Sequence, residues 1–270
     1  MYKIIDIHTH IYPEKISVKA TRALSDFYRF IVNSQGTLSD LEKQCSKNGV
    51  TGFLLLSVAT NDHQVKSVND YAAECVSNSR SRGFEAYGFA SMHQDFEDMG
   101  SEVKRAVSLG LKGVKLHPDI HGVDVTDKRL YPLYEACSSC GIPVYFHSGD
   151  YRPEYRFSEP VKIAKILSDF PSLRVSAAHL GGYKAWDEAI EYLSGNERVW
   201  FDTSSSLWSM STEKADEIIS KIGKDRLMFG SDYPGEKIED EIRRFMCLSM
   251  TEREREKVFY ENARVFLGVE

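Results

Sequence analysis

Lys3-Ile4-Ile5-Asp6-Ile7-His8-Thr9-His10 is a short apolar run ending in two histidines two positions apart. Its β-branched side chains and its period of two predict a strand, with His8 and His10 on one face and Ile5 and Ile7 on the other, turned toward a layer of helices. Seven similar runs follow, at residues 52–58, 86–91, 113–116, 143–147, 174–178, 199–202 and 226–230. Their centres recur roughly every 32 residues, the spacing of a βα unit in a barrel of about 250 residues. Charged amphipathic stretches at 62–82, 94–109, 127–140, 160–169 and 212–222 fill intervals between them. The widest gap, 11–49, has room for helices over 17–31 and 38–47, the second with Thr37 or Ser39 as N-cap, and helices over 236–249 and 251–267 would close the shell. The expected fold is α/β, a single (β/α)₈ TIM barrel over residues 1–270.

The 270 residues are 42% hydrophobic and 27% charged, a globular composition that excludes disorder, collagen and coiled coil. A net charge of −6 with scattered Lys and Arg argues against a nucleic-acid groove or an anionic membrane surface, because both need clustered positive charge. The expected partner is a small molecule, and a homo-oligomer is compatible with the sequence. Five dispersed cysteines fit a reducing compartment. The absence of an 18-residue apolar run and of a basic leader leads to the same expectation, a cytoplasmic protein. Cys137 and Cys140 read as core residues, since Leu130, Leu133, Tyr134 and Cys137 form one helical stripe.

Barrel enzymes bind ligands at the C-terminal ends of their strands. There the predicted strands end in His8 and His10, His147, His179 and Asp232. Imidazoles and a carboxylate gathered round one opening suit a divalent metal. On the fourth strand Lys115 and His117 share a face and are expected in the lumen, as substrate-binding groups. Arg152 and Arg156, in the loop after the fifth strand, could each hold a substrate carboxylate bidentately. His93 and His121 are further candidates for the pocket wall, and His63 reads as surface.

The chain resembles the amidohydrolase superfamily, in particular its amidohydrolase-related branch of small-molecule hydrolases and nonoxidative decarboxylases. The resemblance runs through His8-Thr9-His10, Pro143-Val144-Tyr145-Phe146-His147-Ser148-Gly149, Ala178-His179-Leu180-Gly181-Gly182, Phe229-Gly230-Ser231-Asp232-Tyr233-Pro234 and Asn262-Ala263-Arg264-Val265-Phe266-Leu267-Gly268. It implies His8, His10, His147 and Asp232 as ligands of one divalent ion, usually Zn²⁺ with Mn²⁺ as an alternative, and His179 beside the bound water or substrate. Lys115-Leu116-His117-Pro118 resembles dihydroorotase, where a carboxylated lysine bridges two metals. That would put Lys115 on a bridge, with His147 and His179 on a second ion; the expectation is instead an unmodified Lys115 facing a substrate anion.

Three neutral imidazoles and one carboxylate leave the ion a net positive charge and an open position, lowering the pKa of a bound water toward about 7. Asp232 could pass that proton on and His179 could polarise the substrate. The first expectation is therefore a hydrolase of a C–O or C–N bond in a small anionic lactone, ester or cyclic amide. The second is a metal-dependent nonoxidative decarboxylase, in which the same ligands chelate a carboxylated substrate and Asp232 protonates carbon. A TatD-like nuclease is disfavoured by the charge, and a non-enzymatic binding protein by the complete ligand set.

Overall fold

In the computed structural model, which describes residues 2–269, each predicted β-run becomes a strand, trimmed at one or both ends in most cases. The strands are β1 (Ile5–Thr9), β2 (Gly52–Leu56), β3 (Glu85–Ser91), β4 (Val114–Leu116), β5 (Val144–Phe146), β6 (Val175–Ala177), β7 (Val199–Asp202) and β8 (Leu227–Met228). They pair in parallel in sequence order, and the ring closes where Phe229 O accepts from Ile7 N–H at 2.9 Å and Thr9 bridges to Tyr233. The result is a (β/α)₈ barrel.

The helices are α1 (Glu14–Tyr28), α2 (Leu38–Lys47), α3 (Val65–Ser81), α4 (Met99–Ser108), the short α5 (Pro118–His121), α6 (Tyr131–Cys140), α7 (Pro160–Asp169), α8 (Trp186–Leu193), α9 (Thr212–Ile222), α10 (Ile238–Met246), α11 (Glu252–Glu256) and α12 (Asn262–Leu267). Three of them, α2, α7 and α9, have the predicted bounds, for local reasons. The Thr37 and Ser211 hydroxyls accept from backbone N–H groups in the first turns of α2 and α9, and Pro160 supplies a preset φ at the start of α7. The first predicted helix moves from 17–31 to α1, which starts after Pro13 and ends at Arg29 in a left-handed conformation (φ 57°). The stretch 251–267 is one run of three pieces, in which a π-helical turn (Lys257–Glu261) separates α11 from α12.

One apolar layer lies between strands and helices, and it includes Phe53 and Leu55 of β2, Val103 of α4 and Ile163 of α7. A second cluster fills the barrel: Ile5, Ile7, Leu54, Leu56, Phe89, Tyr145, Trp200 and Met228, with Phe266 of α12 packed among them. Burial of each such side chain stabilises the fold by about 1.5–3 kcal/mol. The expected orientation of Ile5 and Ile7 is thus corrected, since both face the lumen. Between Asp6 and Thr9 the register slips by one residue against β2, and this extra residue lets Ile7 and His8 both serve the interior. Cys137 is buried and Cys140 half-buried, both free thiols. Among the described residues no helix is long and apolar enough to cross a membrane.

Candidate metal centre

β1, β7 and β8 bring the first group of side chains together. His8 Nε2 lies 3.1 Å from His10 Nε2, and Asp232 Oδ1 is 3.4 Å from each. The partners on the far side of each ring fix the tautomers. His10 Nδ1–H donates to the Leu56 carbonyl at 2.6 Å, and His8 Nδ1–H faces the Asp202 carboxylate at 3.3 Å and Ser204 Oγ at 2.9 Å. Burial pushes His8 down to about 4, so its ring is neutral at pH 7. His8 Nε2 therefore presents a lone pair toward His10 Nε2 and the Asp232 carboxylate. Ligand atoms around one ion at metal–nitrogen distances of about 2.1 Å lie about 3.0–3.4 Å apart, so a cation resolves this contact and fits the three residues.

Asp202, the last residue of β7, anchors this wall. Its Oδ2 accepts from Tyr145 Oη at 2.5 Å, and its Oδ1 accepts from Ser204 N–H at 2.8 Å and from the Ser204 hydroxyl. Burial alone would raise Asp202, but the His8 imidazole holds it well below the usual carboxylate range. For Asp232 burial also acts upward and is outweighed by His8 and His10, which keep that carboxyl well below its ordinary value. Ser205 Oγ donates to Asp232 Oδ2 at 2.5 Å. His179, Ser205 and Asp232 all have φ between 49° and 63°, so three rim residues sit in the strained left-handed region.

His147, just past β5, is not in the group formed by His8, His10 and Asp232. Its Nδ1 lies 3.0 Å from His179 Nε2, and its Nε2 is 3.3 Å from Asp119 Oδ2 of α5. His179 Nδ1–H donates to the Ser204 carbonyl at 3.0 Å, and the His179 ring stacks on His8 at 5.1 Å between centroids. His117 stacks on His147 at 4.1 Å, and Tyr28 Oη of α1 lies 2.7 Å from His117 Nε2.

Above these groups is a cavity of about 500 Å³ walled by Tyr12, Phe27, Tyr28, Phe30, Tyr183 and Trp208, with His10, His117, His147, His179 and Asp232 on its polar side. Lys115 lies outside this lining. It is fully buried in the lumen, its Nζ 4.8 Å above the Tyr145 ring and without a hydrogen-bond partner. Burial lowers it to about 8. Arg152 does reach the wall, but Asp150 holds it bidentately at 2.7–3.2 Å, and its Nη1 donates to the Phe27 carbonyl at 2.7 Å. It therefore ties the end of α1 over the opening. Arg156 is corrected to a surface residue: it pairs with Glu159 and takes no part in the cavity. His93 and His121 pack together at 5.3 Å beside the cavity without lining it, and His63 is exposed.

Sequence reasoning missed Asp202, Asp119 and Tyr28. Asp202 had a signal, because it ends an apolar strand just as Asp232 follows one. Asp119 and Tyr28 come from a four-residue helix and from α1, where no strand periodicity marks them.

The Amidohydrolase family model matches residues 5–269. The chain is 23% identical over 245 residues to 2-amino-3-carboxymuconate-6-semialdehyde decarboxylase of Dictyostelium discoideum, covering 75% of this chain and 66% of that protein. It is 24% identical over 255 residues to gamma-resorcylate decarboxylase of Polaromonas sp. JS666, covering 74% of each. The chain thus spans about two thirds to three quarters of the length of these relatives. Among solved structures, dihydroxybenzoic acid decarboxylase from Polaromonas sp. JS666, with bound manganese and the inhibitor 2-nitroresorcinol, has a TM-score of 0.72 at 17% identity, covering 100% of this chain and 98% of that one. That likeness concerns the fold. The expectation of hydrolysis is corrected here, since both curated relatives are decarboxylases.

Proposed function

The chain belongs to the amidohydrolase family, and from that premise we propose that it is a metal-dependent nonoxidative decarboxylase of a small aromatic or similarly flat unsaturated carboxylic acid. The observation that carries the metal is the 3.1 Å contact of His8 Nε2 with His10 Nε2, with the Asp232 carboxylate 3.4 Å from both. His8, His10 and Asp232 would hold the ion, with His147 as fourth ligand through Nδ1. Zn²⁺ and Mn²⁺ both suit such a donor set, and manganese is the ion in the similar decarboxylase structure. When bound, the ion would chelate the substrate carboxylate and draw electron density from the carbon that carries it.

The aromatic wall binds a flat ring by stacking and area burial. Arg152 is already neutralised by Asp150 and is not free to hold a second carboxylate. In the reaction the carbon–carbon bond breaks, its electron pair stays on the ring carbon, that carbon takes a proton, and CO₂ leaves. Asp232 lines the cavity and is the residue positioned to carry the proton. His179, whose Nδ1–H is committed to Ser204, presents Nε2 to the cavity side and orients the carboxylate.

The test is to incubate metal-loaded protein with a panel of hydroxylated benzoic acids and unsaturated ring or open-chain acids, and to follow CO₂ by mass spectrometry. One CO₂ per substrate consumed, with hydrogen in place of the carboxylate, is expected. Turnover of lactones or cyclic amides without gas release would overturn the reading.

A further inference from the structure

We propose that Asp119 is a positioning residue for the metal centre: by accepting from His147 Nε2–H, it selects the tautomer that leaves His147 Nδ1 free to bind the ion. The inference rests on the metal-centre reading above. Asp119 lies in α5, immediately beyond the end of β4, with its side chain inaccessible to solvent and its Oδ2 3.3 Å from His147 Nε2. Neither carboxylate oxygen has a hydrogen-bond partner. A carboxylate buried without a donor is costly, by several kcal/mol in an apolar setting, so a donor within reach is the natural source of compensation.

The other half of the site shows the same construction completed. There Asp202 lies 3.3 Å from the far nitrogen of His8, and the near nitrogen faces His10 and Asp232. On the His147 side the far nitrogen faces Asp119, and the near nitrogen faces His179 at 3.0 Å. The nitrogens exchange roles, Nδ1 outward in His8 and Nε2 outward in His147, because the carboxylates approach from different elements, the end of β7 and α5. Tyr28 supports the assignment. Its hydroxyl lies 2.7 Å from His117 Nε2 and 3.5 Å from His147 Nε2, so its single proton belongs to the shorter contact and it accepts at His147. Both neighbours of His147 Nε2 are then acceptors; Nδ1 faces the bare Nε2 of His179 at 3.0 Å, and an ion bound at Nδ1 would leave the ring proton to Nε2. A ligating histidine backed by a carboxylate binds metal more tightly, and removal of such a partner costs about 10–100-fold in affinity.

The experiment is a chelator titration of the Mn²⁺-loaded protein, arranged as a double-mutant cycle. Asp119→Asn keeps shape and an acceptor but loses the charge, and is expected to weaken Mn²⁺ retention about 10-fold; Asp119→Leu is expected to approach 100-fold. In a His147→Ala background Asp119→Asn is expected to change nothing further, because the ring through which it acts is gone. Equal losses in both backgrounds, as a general folding defect would give, overturn the proposal. So does unchanged affinity in Asp119→Asn and Asp119→Leu. If the cycle behaves as expected while the loaded protein releases no CO₂ from any acid, the role of Asp119 is supported and the decarboxylase reading alone fails.

Discussion

The two sides of the barrel mouth differ in how far their polar groups are partnered. On the β1–β7–β8 side, none of the side-chain nitrogens and oxygens of His8, His10, Asp202 and Asp232 is among the buried atoms lacking a partner. On the β4–β5 side, Lys115 Nζ, His117 Nδ1 and both Asp119 oxygens are all buried and unpartnered. An unmade buried hydrogen bond costs about 1–3 kcal/mol, so this side carries a concentrated cost that the other does not. In the proposed reading the first side holds the cation. In that reading the second side supplies the last ligand, His147.

The largest effects should come from the satisfied side. His10→Ala is expected to drop metal content from about one ion per chain to a small fraction and to abolish turnover, as elemental analysis beside a CO₂ assay would show. Asp202→Asn leaves the ligands in place but weakens the hold on His8, so a loss of about 10–100-fold in metal affinity is expected from the same titration. Retention of full affinity would mean the two sides do not differ in the way described.

Lys115 sharpens the comparison from the unsatisfied side. Burial lowers its amine in the folded chain from 10.5 to about 8, so protonation favours the unfolded chain. The penalty is complete below about pH 8 and fades as pH rises to 10.5. Lys115→Met should therefore stabilise the metal-free protein at pH 7 by up to ~3 kcal/mol, an advantage that shrinks across that window. Denaturant midpoints at pH 7 and pH 10 check the sign. Metal stoichiometry near two in the wild type, lost in this variant, would instead mean that Lys115 bridges two ions. At the small end, Arg156→Ala should change stability by less than about 0.5 kcal/mol and leave kcat/KM unaltered, because Arg156 is exposed and Lys162 still pairs with Glu159.

The eightfold rhythm was legible because each strand is a contiguous β-branched or aromatic run closed by turn residues, and local periodicity reports local geometry. For the same reason the polar strand ends, His8, His10, His147, His179 and Asp232, could be read as one rim. What escaped depends on contacts between distant segments. The slip between Asp6 and Thr9 is a property of pairing with β2, and it reversed Ile5 and Ile7 against a sound alternation. Tyr28 reaches the site because Arg152, more than a hundred residues away, ties the end of α1 to the barrel mouth. Arg152 itself looked like an anion receptor, and only the fold shows Asp150 already occupying it.

The central claim is that one ion, held where His8, His10 and Asp232 converge, supports release of CO₂. The direct measurement is CO₂ production by samples of the same protein loaded with Mn²⁺ to graded occupancies. The account predicts a rate proportional to bound ion that stops rising at about one per chain. A rate independent of occupancy, or substrate consumed without CO₂ at full occupancy, would contradict it.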